Sequence, residues 1–128
     1  MKTDWKNLYK IKLASFIPEM DKHDVIKLLL VRKILQKYKR RSWIRIYTEF
    51  ELENSLRPDI YFENIKDKSV VIYEIQKNYT EEWLKEKTKQ YSNYKVPFFN
   101  SVDFIPINLN LFSNDIREIS KKLEEYVF

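Results

Sequence analysis

Two β-type runs joined by a short polar segment constrain the fold of this chain more than any other feature. The runs are Asp59–Phe62 and Val70–Lys77, and the segment Glu63–Lys68 between them has the composition of a turn. Runs of this kind at this separation predict a β-hairpin. Because side chains alternate between the two faces of a strand, Glu74 and Gln76 share one face of the second run.

The predicted hairpin carries two acids at positions where they can meet. Glu74 lies in an otherwise apolar strand, where an unpaired charge costs desolvation energy. Asp59 stands at the start of the neighbouring strand. Two carboxylates that meet at the edge of a sheet form an oxygen-rich site for a hard divalent cation.

The size and composition of the chain indicate one globular domain over residues 1–128. It has 128 residues, of which 44% are hydrophobic, so it can build a core. No apolar run approaches the roughly 20 residues needed to span a membrane, and the N-terminus lacks the apolar core of a secretory signal. We therefore expect no membrane partner and a cytoplasmic location.

Two residue types are absent, and each absence excludes a class of site. Without glycine the chain has no P-loop and no dinucleotide-binding fingerprint, because both need glycine for close approach of the backbone to phosphates. Without cysteine it has no disulfide and no zinc site built on thiolates.

Charge is distributed unevenly along the chain. Residues 1–48 contain 13 Lys and Arg against 4 Asp and Glu, whereas residues 49–128 contain 11 against 15. The basic half can face an anionic polymer, or it can be an ordinary set of solvated surface charges. Charge alone leaves both interpretations open.

Before the hairpin, the pattern predicts a helix and then a strand. The helix covers about residues 21–39, with His23 near its start and the cations Lys27, Arg32, Lys33 and Lys37 on its outward face. The alternating run from Trp43 to Glu53 predicts a strand with Ile44, Ile46, Thr48, Phe50 and Leu52 on one face. Glu49 lies on the other face, where it either meets solvent or reaches the two acids of the hairpin. A short helix is also compatible with residues 1–18.

After the hairpin, the pattern predicts a helix, a strand and a final helix. The first helix begins at Tyr79 or Thr80, and Pro97 bars its continuation. Pro106 lacks an amide hydrogen, so the strand Phe104–Leu109 is expected either at a sheet edge or locally irregular. Ser113 or Asn114 caps the last helix. The predicted fold class is α/β, a mixed β-sheet with an αβββαβ core flanked by helices.

The order of these elements and three short motifs resemble the PD-(D/E)XK nuclease superfamily over about residues 21–110. In that family a Pro-Asp pair begins one hairpin strand, as Pro58-Asp59 does here, and Glu-x-Lys lies on the next strand, where this chain has Glu74-Ile75-Gln76. The segment Gln90–Tyr94 resembles the Gln-x-x-x-Tyr motif of RecB-like members. An acid upstream, Glu49 by position, resembles the early acid of archaeal Holliday junction resolvases and small archaeal viral nucleases.

The resemblance implies a restriction-endonuclease-like fold and metal-assisted hydrolysis of DNA phosphodiester bonds, with branched or structured DNA as the substrate. The carboxylates of Asp59 and Glu74, with the main-chain carbonyl of Ile75, would bind Mg²⁺ or Mn²⁺, which lowers the pKa of a bound water. Gln76 would position the attacking water. Glu49 would complete the catalytic set.

DNA is the partner that the resemblance implies. The side chains that would hold or orient its backbone are Arg57, Lys77, Lys87, Gln90 and Tyr94. Contacts to phosphates make such binding steeply salt-dependent. We expect a homodimer, because a small nuclease must cut two strands.

Gln76 departs from the family pattern, because it occupies the position of the family's lysine. A glutamine can hold a water or a phosphate oxygen by hydrogen bond, but it cannot supply positive charge. Lys77 is adjacent, but strand alternation turns it to the opposite face unless a bulge re-aims it. The departure puts turnover in question.

Two other functional hypotheses use the same residues. A non-catalytic nucleic-acid-binding or assembly module would have the same fold and a cleft in which the acids diverge or are blocked. An unrelated basic α/β interaction protein would pair Asp59 and Glu74 with Lys or Arg and leave no cleft. The nuclease hypothesis requires both acids to converge on an open cleft.

Overall fold

The computed structural model describes residues 18–38, 41–53 and 55–127. Its helices and strands follow in the order α, β, β, β, α, β, α, and they are α1 (Pro18–Lys37), β1 (Ile44–Thr48), β2 (Ile60–Asn64), β3 (Ser69–Gln76), α2 (Glu81–Ser92), β4 (Ser101–Asn108) and α3 (Ile116–Leu123). Short 3₁₀ turns precede β1, follow β4 and follow α3. The short helix predicted before Pro18 lies outside the described residues.

The four strands form one mixed sheet in the order β1-β2-β3-β4. The first three strands are antiparallel neighbours, and β4 runs parallel to β3. The predicted hairpin, the mixed sheet and the position of the Pro106 strand at an edge are therefore confirmed. The register places Pro106 opposite Glu74.

Helices α1 and α3 cover one face of the sheet. In α1 the residues Ile26, Leu30 and Ile34 recur at every fourth position and are fully buried, because this spacing aligns them along one side of the helix. They pack with Ile60 and Ile75 of the sheet in one hydrophobic cluster. Burial of each such side chain contributes about 1.5–3 kcal/mol.

Helix α2 covers the opposite face of the sheet, where a second cluster includes Tyr61, Val70, Ile72 and Tyr91. Thr80 begins α2 as its N-cap, and its hydroxyl accepts a hydrogen bond from the amide of Trp83 at 3.0 Å. The predicted start of this helix is confirmed.

Strand β1 is shorter than the alternating sequence predicts. It ends at Thr48 because Glu49 has a positive φ of 53°, which interrupts the strand. The single-face prediction for the whole run is wrong beyond that point. Ile44 and Ile46 belong to the cluster under α1, whereas Leu52 belongs to the cluster under α2.

Two further predictions are corrected. Lys27 does not face outward with the other cations of α1 but is 2% exposed, because its long aliphatic stem lies in the core.

Helix α3 is capped by Asp115, whose carboxylate accepts a hydrogen bond from the amide of Arg117 at 2.8 Å. Ser113 instead accepts a hydrogen bond from the amide of Asp115.

None of the helices in the described part of the chain combines the length and the hydropathy that a membrane-spanning segment needs.

Candidate functional site

An open pocket of about 450 Å³ lies where β3 ends and α2 begins. Its lining comes from α1, β3, α2 and the segments that flank β2 and β4. The lining residues with polar or aromatic side chains are His23, Asp59, Glu74, Gln76, Lys77, Asn78, Trp83 and Lys87. The fold therefore brings the two acids of the hairpin to one cleft, although they are 15 positions apart in the sequence.

Asp59 is held from two sides. Its Oδ2 accepts a hydrogen bond of 2.6 Å from the amide of Ile75, which joins the start of β2 to β3. Its Oδ1 lies 3.1 Å from Nε2 of His23 on α1. The carbonyl of Asp59 also accepts a hydrogen bond from the amide of Glu49 at 3.3 Å. These contacts fix the orientation of the Asp59 carboxylate.

Glu74 is nearly buried on the face of β3 that α2 covers. Its Oε2 lies 3.2 Å from Nζ of Lys87, which lies on the face of α2 that packs against the sheet. Burial raises the pKa of Glu74 above its usual value, the Lys87 ammonium lowers it part of the way back, and the charges of Asp59 and Glu49 add to the rise. The coupling of three acids shows that their carboxylates lie within electrostatic reach of one another.

His23 links α1 to the acids. Burial alone would lower the pKa of His23, but the hydrogen bond to Asp59 and its charge outweigh burial, so that the pKa is raised. Nδ1 of the ring lies 3.6 Å from Oδ1 of Asp24. The imidazole therefore favours the protonated form when both carboxylates are charged.

Strand β3 ends beside the pocket at Gln76, the residue that occupies the family's lysine position. The side-chain amide of Gln76 donates a hydrogen bond of 3.3 Å to the carbonyl of Asn78. Lys77 lies one residue past the end of β3, so strand alternation no longer decides where it points. Both Gln76 and Lys77 line the pocket.

Glu49 has a different environment from the other two acids. Its carboxylate lies 2.9 Å from Nζ of Lys27, the lysine that α1 buries. Glu49 is not among the residues that line the pocket. The structure thus gives Glu49 a partner in the core, and it contributes to the site through its charge.

Three of the predicted DNA-contacting residues lie away from the pocket lining. Arg57 is exposed beside Glu51, with 3.7 Å between the charged atoms. Tyr94 follows the end of α2 and packs against the cluster under that helix. Gln90 buries its side-chain oxygen, which has no hydrogen-bond partner among the described residues.

Two residues that the sequence did not assign to the site belong to the pocket. His23, which the sequence places near the start of a helix, and Trp83, an aromatic of α2, both line the pocket. The spacing of His23 and Lys27, four positions apart on α1, is a signal for one shared face. It becomes informative only when Asp59 and Glu49 are known to lie opposite that face.

The two carboxylates that line the pocket are donors that suit a hard divalent cation, whereas the imidazole of His23 is a softer donor that such a cation does not prefer. Among the described residues, however, no three Asp, Glu or His side chains stand together as metal ligands. Asp59 engages an amide and an imidazole, and Glu74 engages Lys87. Joint binding of a cation by both acids therefore requires Lys87 to move away from Glu74.

The pocket combines features that separate the functional hypotheses. Asp59 and Glu74 line one open cleft, which is one of the two conditions for a nuclease, the other being that their oxygens converge. Each acid also contacts a basic side chain, as a structural ion pair requires. The cleft remains open beside these pairs, which the purely structural hypothesis does not predict.

No protein-family model, curated protein or solved structure matches this chain.

Proposed function

We propose that this protein is a divalent-metal-dependent nuclease with a restriction-endonuclease-like fold that acts on DNA. One observation carries the proposal: Asp59, directly before β2, and Glu74, on the neighbouring strand β3, line one open pocket together with Lys87. The order of the elements and the mixed sheet support the fold, since they agree with the αβββαβ core of the PD-(D/E)XK superfamily. Branched or structured DNA remains the proposed substrate class.

Lys87 is the side chain that supplies the positive charge missing at Gln76. Its ammonium lies 3.2 Å from Glu74 and lines the same pocket as Gln76. A phosphodiester that enters the pocket offers Lys87 a second anionic partner. Transfer of the ammonium from the carboxylate to a phosphate oxygen would release Glu74 and offset charge on the phosphate.

The acids would hold the metal ion. A bound Mg²⁺ or Mn²⁺ supplies a Lewis acid and a water of lowered pKa. The amide of Ile75 keeps Oδ2 of Asp59 oriented, and Oδ1, which contacts Nε2 of His23, would bind the ligand in exchange for the imidazole. Gln76, which lines the pocket at the end of β3, would orient the attacking water by hydrogen bond.

The test is cleavage of plasmid, single-stranded and branched DNA with Mg²⁺ or Mn²⁺. Wild type should cut, and Asp59→Asn and Glu74→Gln should each lower the rate at least about a hundredfold, because each removes a carboxylate charge from the site. Glu86→Gln, at an exposed position on α2, is the matched control and should cut like wild type. Equal cleavage by all four proteins would show that this pocket is not the active site.

A second candidate is a non-catalytic nucleic-acid-binding module on the same fold. It is favoured by the pairing of both acids with His23 and Lys87 together with glutamine at the lysine position. Its signature is salt-dependent DNA binding by wild type and by both acid variants, with no cleavage by any of them. The homodimer and the cytoplasmic location remain predictions from the sequence.

A further inference from the structure

Tyr91 buries a hydroxyl group that has no hydrogen-bond partner among the described residues. The residue is 2% exposed. A buried hydroxyl that stays unpaired costs free energy, and native proteins contain few such groups. The position of this hydroxyl therefore needs a physical explanation.

The position of Tyr91 directs it towards the acids of the pocket. Tyr91 lies one helical turn after Lys87, so the two side chains share the face of α2 that packs on the sheet. Side chains of a helix lean towards its N-terminus, which directs Tyr91 towards the turn whose lysine contacts Glu74. The ring stacks on Phe104 with 5.0 Å between centroids, which restrains it.

The electrostatic environment of the phenol agrees with this placement. Burial raises the pKa of Tyr91, and the charges of Glu74 and Asp59 raise it further. A phenol that keeps its proton is a hydrogen-bond donor, and both carboxylates lie within electrostatic reach of this one.

We propose that Tyr91 is a positioning residue for Glu74, whose carboxylate accepts a hydrogen bond from the Tyr91 hydroxyl when the Lys87 ammonium moves away. A nearly buried carboxylate without any partner is costly. The hydroxyl would keep Glu74 oriented during the transfer of Lys87. The inference rests on the proposed function only in that a phosphate or metal ion is what draws Lys87 from Glu74.

A double-mutant cycle tests the hydrogen bond without relying on activity. Tyr91→Phe keeps the ring and removes only the hydroxyl, and Lys87→Met removes the ammonium but keeps a similar length. In wild type, Tyr91→Phe should leave the urea midpoint unchanged or raise it, because it removes an unpaired group. In the Lys87→Met background it should lower the folding equilibrium constant about fivefold, the effect of one lost hydrogen bond.

Tyr61→Phe is the matched control for this cycle. Tyr61 lies in the same cluster, is 3% exposed, and donates its hydroxyl to Glu63 at 2.8 Å. Its removal should have the same effect in both Lys87 backgrounds. If Lys87→Met does not fold, Lys87→Gln replaces it. An additive cycle for Tyr91 and Lys87 overturns the proposal.

Titration of the full chain with Mn²⁺ connects the hydrogen bond to the proposed site. Tyr91→Phe should weaken Mn²⁺ binding about tenfold, the effect of a lost hydrogen bond to a charged group, and Tyr61→Phe should leave it unchanged. If wild type binds no Mn²⁺, the proposed function fails. The double-mutant cycle still tests whether Tyr91 donates a hydrogen bond to Glu74. A coupled cycle without Mn²⁺ binding supports the hydrogen bond and rejects the metal site.

Discussion

The ammonium of Lys87 lies 3.2 Å from the carboxylate of Glu74 and joins α2 to β3 at the candidate site. Two opposed effects meet at this contact. Burial favours the neutral form of Glu74, and the lysine favours its ionised form. The contact therefore controls both the charge of the pocket and the stability of the sheet–helix interface.

Lys87→Met should raise the pKa of Glu74 further, because burial then acts without its main opposing charge. The folded protein already binds the Glu74 proton more tightly than the unfolded chain, so stability falls as the pH rises from 4.5 to the folded pKa. In Lys87→Met the free energy of unfolding should keep falling to higher pH. At neutral pH the variant should be less stable than wild type by about 2 kcal/mol. Urea unfolding between pH 4 and 8 measures it. Lys85→Met, exposed on the same helix, should follow the wild-type profile.

His23→Gln should reveal the stabilisation that the imidazolium provides at low pH. The folded pKa of His23 is raised above 6.5, so this stabilisation is fully present below pH 6.5 and is lost as the pH rises through the folded pKa. We expect wild type to exceed His23→Gln by about 1 kcal/mol at pH 6 and the difference to shrink as the pH rises. The charged groups that face the ring are Asp59, Asp24 and Lys27. Unfolding in the presence of a chelator measures the difference, and a gap that grows with pH would contradict the assignment.

Glu49→Gln should destabilise the protein by about 2–3 kcal/mol, because it leaves the buried ammonium of Lys27 without its carboxylate. Glu51→Gln is the matched control. It breaks a pair with Arg57 in which both side chains are more than half exposed, and it should cost less than about 1 kcal/mol. If both variants lose the same free energy of unfolding in chemical denaturation, Glu49 does not stabilise the buried ammonium of Lys27.

Thr80→Ala should destabilise the protein by about 1 kcal/mol, because the N-cap of α2 loses the hydrogen bond to the amide of Trp83. Thr80→Ser should restore most of this loss, since serine offers the same acceptor. Thr88→Ala, at an exposed position inside α2, should be close to neutral or slightly stabilising. Thermal unfolding of the three variants separates capping from helix propensity.

The sequence predicted the fold best where local patterns acted alone. The hairpin followed from two runs of β-branched and aromatic residues with a turn between them, and the start of α2 followed from a threonine that could cap it. Predictions failed where one residue changed the backbone direction. The positive φ of Glu49 ended β1 early and moved Leu52 to the other face of the sheet.

The candidate site was predicted in part for a similar reason. Alternation along β3 and the position of Asp59 at a strand start were enough to expect the two acids near each other. Their partners come from helices α1 and α2, whose packing angles and distances the sequence does not encode locally. His23, Lys27 and the Glu74–Lys87 pair therefore emerged only from the packed structure.

The sequence by itself determined the order of helices and strands, the absence of glycine- and cysteine-based sites, and the two acids of the hairpin, because these depend on residue type and short-range periodicity. The tertiary structure decided which cation each acid meets. It placed Lys87 beside Glu74, His23 beside Asp59, and buried Lys27 against Glu49. Side-chain partners that come from different elements, 13 or more positions apart in these pairs, depend on how helices dock on the sheet, and burial then determines how strongly each charge acts.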